Sequence, residues 1–151
     1  MSKMEPTAFL ETFAALRRAL SVIATRAYAS LEMGTTQVRF LRHIGEHRYI
    51  SQAALARATI TDPALTGRTL SSLVERGLIR RERGEEDKRE FLLSLTPEGQ
   101  KTLRRVLRLR EQLADRLTAP LDERDLNDFA RIAQKLMASF ADEALAPPDA
   151  Q

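Results

Sequence analysis

Between Ser51 and Gly99 an Asp-Pro step, a lone glycine and a long run of charges cut the chain into pieces that fit two brief helices and a hairpin. Ser51 is suited to cap the first helix, whose apolar positions Ala54 and Leu55 fit a turn or two; the Ala-Thr-Ile-Thr run that follows supplies β-branched residues that disfavour continuation. Asp62 followed by Pro63 reads as an N-cap and a first-turn proline, so a second helix starts there. At about 100° per residue, Thr66, Leu70, Leu73 and Val74 fall on one face, which is expected to be buried. The opposite face carries Ala64, Leu65, Arg68, Thr69 and Ser72. A leucine beside an arginine and two hydroxyls suits a surface that reads base edges, because arginine forks onto guanine, hydroxyls serve either partner and an apolar side chain meets a thymine methyl. Gly77 then ends the helix, since glycine most easily takes the left-handed cap.

Leu78 and Ile79 open a strand, and Phe91, Leu93 and Leu95 alternate with Leu92 and Ser94 in its return partner. The intervening segment, RRERGEEDKRE, is too charged to bury and about the length of a wing. Asp87 stands two residues before Arg89 and is expected to pair with it, holding the guanidinium extended in a form suited to the narrow, electronegative minor groove. Arg80, Arg81 and Lys88 are expected to meet phosphates.

A helix ending SLVERGLIRR, the wing Asp87-Lys88-Arg89, and the strand and helix start FLLSLTPEG together resemble the winged helix-turn-helix regulators of the MarR (multiple antibiotic resistance regulator) type. The resemblance implies a mainly α fold with a small β-hairpin wing. It places a winged helix-turn-helix DNA-binding region over residues 35–96 of a single 151-residue chain, with dimerisation helices over 7–31 and 97–145. Gly67 departs from a good recognition helix, since glycine costs about 1 kcal/mol there against alanine. It is expected either to permit close packing against the preceding helix or to make the helix adaptable.

Net charge does not point to DNA unaided. The formal charge is +3, and over residues 51–100 eight basic side chains are balanced by eight acidic ones. The case rests on geometry. The chain has no cysteine, which excludes disulfides, thiolate metal sites and cysteine-based redox sensing, a mode used by part of the resembled family. No apolar run reaches the length of a membrane span and MSKMEPTAF lacks a signal-peptide core, so a cytoplasmic protein is expected.

Phe9, Phe13, Leu16, Leu20, Ile23 and Ala27 alternate at spacings of four and three, a heptad-like seam. Leu126, Phe129, Ile132, Leu136 and Phe140 repeat it, and Leu103, Val106, Leu113 and Leu117 mark a long helix between. Three seams exceed what a small winged domain can cover, so an intertwined homodimer is expected, with a monomeric helical core as the alternative. Two recognition helices about 34 Å apart would then meet successive major grooves of a palindromic operator. The tail 146–151 is expected to be disordered.

Arg17, Ser21, Ala24 and Tyr28 form a small and polar stripe beside the first seam, and Gln37 shares a helix face with Phe40, Leu41 and Ile44. A buried amide must find partners or cost about 1–3 kcal/mol. The resembled family commonly binds small aromatic acids between the dimer helices and the winged domain. On that basis Arg17 is expected to pair with a ligand carboxylate while Tyr28, Gln37 and His43 supply hydrogen bonds. The alternative is that Arg17 makes an intersubunit salt bridge and Gln37 bonds to backbone.

His43-Ile44-Gly45-Glu46-His47 matches the H-x-x-E-H pattern of one zinc protease class. The glycine weakens the helix there and no further histidine exists, so no metal site or cofactor is expected. Glycine-rich phosphate loops, nucleophile elbows and cysteine nucleophiles are likewise missing, and the expected protein is not an enzyme. The function implied is a DNA-binding transcriptional regulator, more often a repressor, that leaves its operator when a small aromatic or phenolic acid binds. A winged-helix protein-interaction module without DNA binding, or a metal-dependent hydrolase using His43 and His47, are the alternatives.

Overall fold

The structure is a computed structural model that describes residues 4–144, with side chains described to residue 140. The expected disordered tail, 146–151, lies outside the described residues. Pro6 opens α1 (Pro6–Ala27), which passes through a 3-10 turn (Ala29–Leu31) into α2 (Thr35–Gly45). There follow β1 (Ile50–Ser51), α3 (Gln52–Thr59), α4 (Pro63–Glu75), β2 (Ile79–Arg83), β3 (Phe91–Leu95), α5 (Pro97–Thr118) and α6 (Glu123–Ala144). The architecture is mainly helical with one small antiparallel sheet, as the fold class implied by the resemblance requires.

The helix starts are set by the residues that sequence chemistry singled out. Ser51 Oγ accepts from the Ala54 N–H at 3.1 Å, and Asp62 Oδ1 accepts from the Leu65 N–H at 2.8 Å. Each satisfies an N–H that the first helical turn leaves unpaired. Gly77, at φ +69°, follows the end of α4 and turns the chain into β2.

The core gathers on α2, whose Phe40, Leu41 and Ile44 are fully buried against Leu55 of α3, Leu70 and Leu73 of α4, Leu93 of β3 and Val106 of α5. One side of every winged-domain element is therefore apolar, and these faces close over a single cluster. The stripe on α4 is not the one periodicity predicted. Thr69, expected on the outward face, is buried at 6%, and Val74, expected inside, is 40% exposed. A threonine methyl can enter a core while its hydroxyl bonds locally, so the helix settles with the Thr66–Thr69 edge inward.

The sheet has a third strand that sequence patterning did not anticipate. Its order is β1-β3-β2, with Ile50 opposite Leu93 on one side and Arg81 opposite Leu93 on the other. Two residues are too few to show an alternation, so β1 was invisible to a period-2 test.

Where α5 leaves the sheet, the backbones come into direct contact. Thr96 Oγ1 donates to the Gly77 carbonyl at 2.6 Å and accepts from the Gly99 N–H at 3.0 Å, while the Thr96 N–H donates to the Leu78 carbonyl at 3.1 Å. Any Cβ at Gly99 would collide with the Leu78 carbonyl. Gly67 is the opposite case: a Cβ there meets nothing within 4 Å, which corrects the expectation of close packing against the preceding helix.

Most of the apolar seam residues of α1 and α6 stay uncovered, Ile23 and Leu136 being half-buried. Phe9, Phe13, Leu16 and Leu20 on α1, and Leu126, Phe129, Ile132 and Phe140 on α6, are all exposed in the single chain. α1 has no buried residue although it touches α2 and α5.

Two substitutions separate the two kinds of glycine. Gly67→Ala is expected to stabilise the protein by about 1 kcal/mol through helix propensity alone. Gly99→Ala is expected to destabilise it by roughly 1–3 kcal/mol, because the obstacle is backbone rather than a movable side chain. Urea unfolding of both at one protein concentration checks the signs.

Candidate nucleic-acid interface

α4 presents Ala64, Arg68 and Ser71 to solvent, with Leu65 half-buried beside them. Ser71 was not among the candidates, although it lies one turn beyond Arg68 and Gly67. A helical wheel re-centred on Thr66 and Leu70 would have found it. Arg68 has no ion pair among the described residues, so its guanidinium is available to an external acceptor. Ser72 is half-buried, and its hydroxyl accepts a hydrogen bond from Gln37 Nε2 at 2.8 Å.

The turn between α3 and α4 is held by threonines. Thr61 Oγ1 lies 2.9 Å from Thr59 Oγ1 and accepts from Arg39 Nη2 at 3.2 Å. Ile60 stands in this turn at φ 48° with its side chain 70% exposed. A β-branched residue in the left-handed region carries a cost on the order of 1–3 kcal/mol. That cost is met by the Ala56 and Arg57 carbonyls, which accept from the Thr61 and Ile60 N–H groups.

In the wing, the Gly84 N–H donates to the Glu90 carbonyl at 2.9 Å and the Glu90 N–H to the Asp87 carbonyl at 3.1 Å. Asp87 Oδ1 accepts from the backbone N–H of Arg89 at 2.8 Å. The expected pairing of Asp87 with the Arg89 guanidinium is thus replaced by a local turn bond, which a short carboxylate reaches more easily than a side chain pointing away. Arg83 Nη1 donates to the Lys88 carbonyl at 2.7 Å and fixes the turn from the other side. Lys88 and Arg89 themselves project into solvent, as does Arg80.

Arg81 is placed differently from Arg80. Its guanidinium lies 4.0 Å from the Phe91 ring centroid, with that of Arg83 at 4.4 Å, and its Nε is buried without a partner. Arg81 therefore anchors the hairpin by stacking, with only part of its fork left for a phosphate.

The four candidate ligand residues differ in their surroundings. Arg17 is exposed on α1, Tyr28 is buried in the core, and Gln37 uses both ends of its amide, accepting from the Gly34 N–H at 2.9 Å and donating to Ser72. His43 Nδ1 stands 3.5 Å from Glu46 Oε2. Of the H-x-x-E-H segment, α2 holds His43 to Gly45, Glu46 caps it and His47 lies beyond. Among the described residues no three His, Cys, Asp or Glu side chains gather to hold a metal, and no helix is long and apolar enough to cross a membrane.

A sequence model of the MarR family matches residues 31–90, the segment from the end of the 3-10 turn to the wing. The HTH-type transcriptional regulator BilQ of Clostridium symbiosum is 33% identical over 97 residues, covering 64% of this chain and 67% of that protein. The chain belongs to the MarR family. A crystal structure of MarR superposes with a TM-score of 0.76 at 26% identity, covering 94% of this chain and 97% of that one. A mutant MarR from Escherichia coli, crystallised with operator DNA, superposes with a TM-score of 0.79 at 20% identity, covering 84% of this chain and 91% of that one. The protein is therefore a MarR-family transcriptional regulator of the DNA-binding, winged-helix kind.

Within this MarR-family domain, the Gln37–Ser72 bond joins the start of α2 to the exposed helix α4. Arg76 adds a second tie, donating to the Glu32 carbonyl at 2.6 Å and to the Leu31 carbonyl at 2.9 Å. Both fix α4 to the α1–α2 connection. Removing one partner of Gln37–Ser72 leaves a half-buried polar group unpaired, at a cost of about 1–3 kcal/mol, whereas removing both costs less. A double-mutant cycle with Gln37→Leu and Ser72→Ala is expected to return a coupling of about 1–3 kcal/mol in urea unfolding.

Proposed function

We propose that this MarR-family regulator is a homodimeric repressor that leaves a palindromic operator when a small organic acid binds. The observation that carries the DNA half is the outward face of α4, where Arg68 stands free between Ala64 and Ser71 above a buried stripe. In this reading Leu65, Arg68 and Ser71 meet base edges, Arg68 forking onto guanine and Leu65 touching a thymine methyl. Thr69 supports them from beneath. Arg89 enters the minor groove from the Asp87 turn, and Arg80 and Lys88 meet phosphates.

The exposed apolar side chains of α1 and α6 support the homodimer, since a second copy would bury both faces at once. A pair of α4 helices about 34 Å apart would then enter successive major grooves. The MarR mutant crystallised with operator DNA shares this fold, which supports the same use of α4 and the wing here.

Effector control rests on the family and on the ties that fix α4. An acid entering beside α1 would find Arg17 free for its carboxylate, whereas Gln37 must surrender Ser72, and His43 must leave Glu46, to contact it. The ligand acts only to the extent that it prefers the arrangement that does not bind DNA.

Fluorescence anisotropy with the duplex upstream of the protein's own coding region, against an unrelated duplex at several salt concentrations, tests the DNA half. Arg68→Ala is expected to cost about 1–3 kcal/mol at the cognate site and to relax base preference there. Lys88→Ala is expected to weaken all duplexes about equally and to lower the salt slope by about one. An Arg68→Ala protein with unchanged affinity and base preference, or wild-type binding indifferent to salt, overturns the assignment and favours a protein-interaction module.

A further inference from the structure

A cleft of about 440 Å³ opens between the C-terminal end of α2, the outer side of the sheet and the first half of α5. Arg48, Arg80 and Arg104 all line it, with His47 and Tyr49, and no acidic side chain does. None of the three guanidiniums has an ion pair among the described residues. The apolar side is supplied by Leu95, Leu103 and Leu107. Leu103 and Leu95 close on α2 because Gly45 has no side chain: a Cβ there would collide with Leu103 and come within 3.2 Å of Leu95 Cδ1.

Three like charges facing one cleft repel each other unless an anion joins them. The neighbouring cleft in the wing has the opposite character, being lined by Glu82, Glu85, Glu86, Asp87 and Glu90 against a single cation, Arg83, with Tyr49 as the wall common to both. An anion is thus drawn to the α5 side and repelled from the wing side. The volume falls within the range of small-molecule sites, roughly 300–1,000 Å³.

We infer that this cleft binds a small phosphate monoester with an apolar body, the phosphate among Arg48, Arg80 and Arg104 and the body against Leu103 and Leu107. A monoester carries a charge of about −1.5 to −2 and three strong acceptor oxygens near neutral pH, whereas a monocarboxylate carries one charge and leaves two of three arginines uncompensated. Arginine forks match phosphate oxygens bidentately, and Tyr49 offers a hydroxyl and an aromatic face. The site is separate from Arg17, Tyr28, Gln37 and His43, none of which lines the cleft, but it shares Arg80 with the DNA-phosphate contacts proposed above.

Isothermal titration of the full chain without DNA tests the inference, with phenyl phosphate, inorganic phosphate and benzoate as probes. Phenyl phosphate is expected to bind roughly tenfold more tightly than either of the others, because each of them lacks one half of the match. The exposed pair Arg80→Gln and Arg104→Gln, combined, is expected to weaken phenyl phosphate by roughly tenfold or more, and Arg48→Gln alone to weaken it in the same direction. Arg17→Gln is expected to leave it unchanged. No binding of phenyl phosphate at millimolar concentration, benzoate binding as tightly, or equal binding by wild type and the double variant overturns the inference. So does a double variant whose only defect is a lower salt slope on every DNA duplex, which would assign these arginines to backbone phosphates. Wild type failing to bind its upstream duplex while phenyl phosphate still binds would defeat the DNA assignment and leave this site standing.

Discussion

Everything that makes this chain more than a small helical cluster passes through the backbone of Leu78. Its N–H donates to the Leu73 carbonyl at 3.0 Å at the end of α4, its carbonyl accepts from Thr96 at the start of α5, and Gly99 packs directly against it. α4, the hairpin and the long helix α5 therefore meet at one residue, through groups that have no rotamer to relax. Thr96 adds the link to Gly77, so the left-handed turn that ends α4 is held by the residue that caps α5. The start of α5 is thus joined to the end of α4 and to β2 through backbone contacts.

Charge is distributed with the same economy. The balance of acids and bases over residues 51–100 conceals a separation in space: glutamates crowd the wing cleft, while arginines from three distant segments line the α5 side. Stacking on Phe91 half-buries Arg81, and Arg83, though exposed, is tied to the Lys88 carbonyl, which leaves Arg80, Lys88 and Arg89 as the hairpin cations without such ties. A tally of the linear sequence sees none of this, because it weighs a stacked guanidinium and a free one equally.

Local chemistry was legible; assembly was not. Ser51, Asp62-Pro63 and Gly77 each satisfy or terminate a helix within four residues, so their roles could be read from neighbours alone. The family resemblance rested on the same local signals, in order, and the matched segment 31–90 covers most of them. Thr69 and Val74 exchanged faces because both sit at stripe edges, where a rotation of the helix by a few tens of degrees decides burial. β1 exists only by pairing with Leu93 and Leu92, more than forty residues on. The arginine cleft likewise unites Arg48, Arg80 and Arg104, and the Gln37–Ser72 bond spans 35 positions. The polar stripe read on α1 divides in the fold, Arg17 and Ser21 being exposed and Tyr28 buried, because a pattern on one helix does not say what that helix will face.

What α1 faces decides how control would reach DNA. The N-terminal part of its apolar seam, Phe9 to Leu20, is exposed among the described residues, yet the turn that follows α1 is locked, through Leu31 and Glu32, to Arg76 at the foot of α4. Glu32 adopts a left-handed conformation at φ 51°, which aims its carbonyl at that guanidinium. In the proposed dimer a second copy would cover the seam, and the Arg76 and Gln37 contacts would be the points at which α4 is held to the α1–α2 connection and the start of α2. A ligand that leaves those contacts intact has no means of discriminating between arrangements of α4 through this route, however tightly it binds. One that draws Gln37 away from Ser72 must do so with a better acceptor than a hydroxyl, and a carboxylate is such an acceptor. The acidity of the proposed effector would then serve two ends, pairing with arginine and competing for the amide that positions the recognition helix.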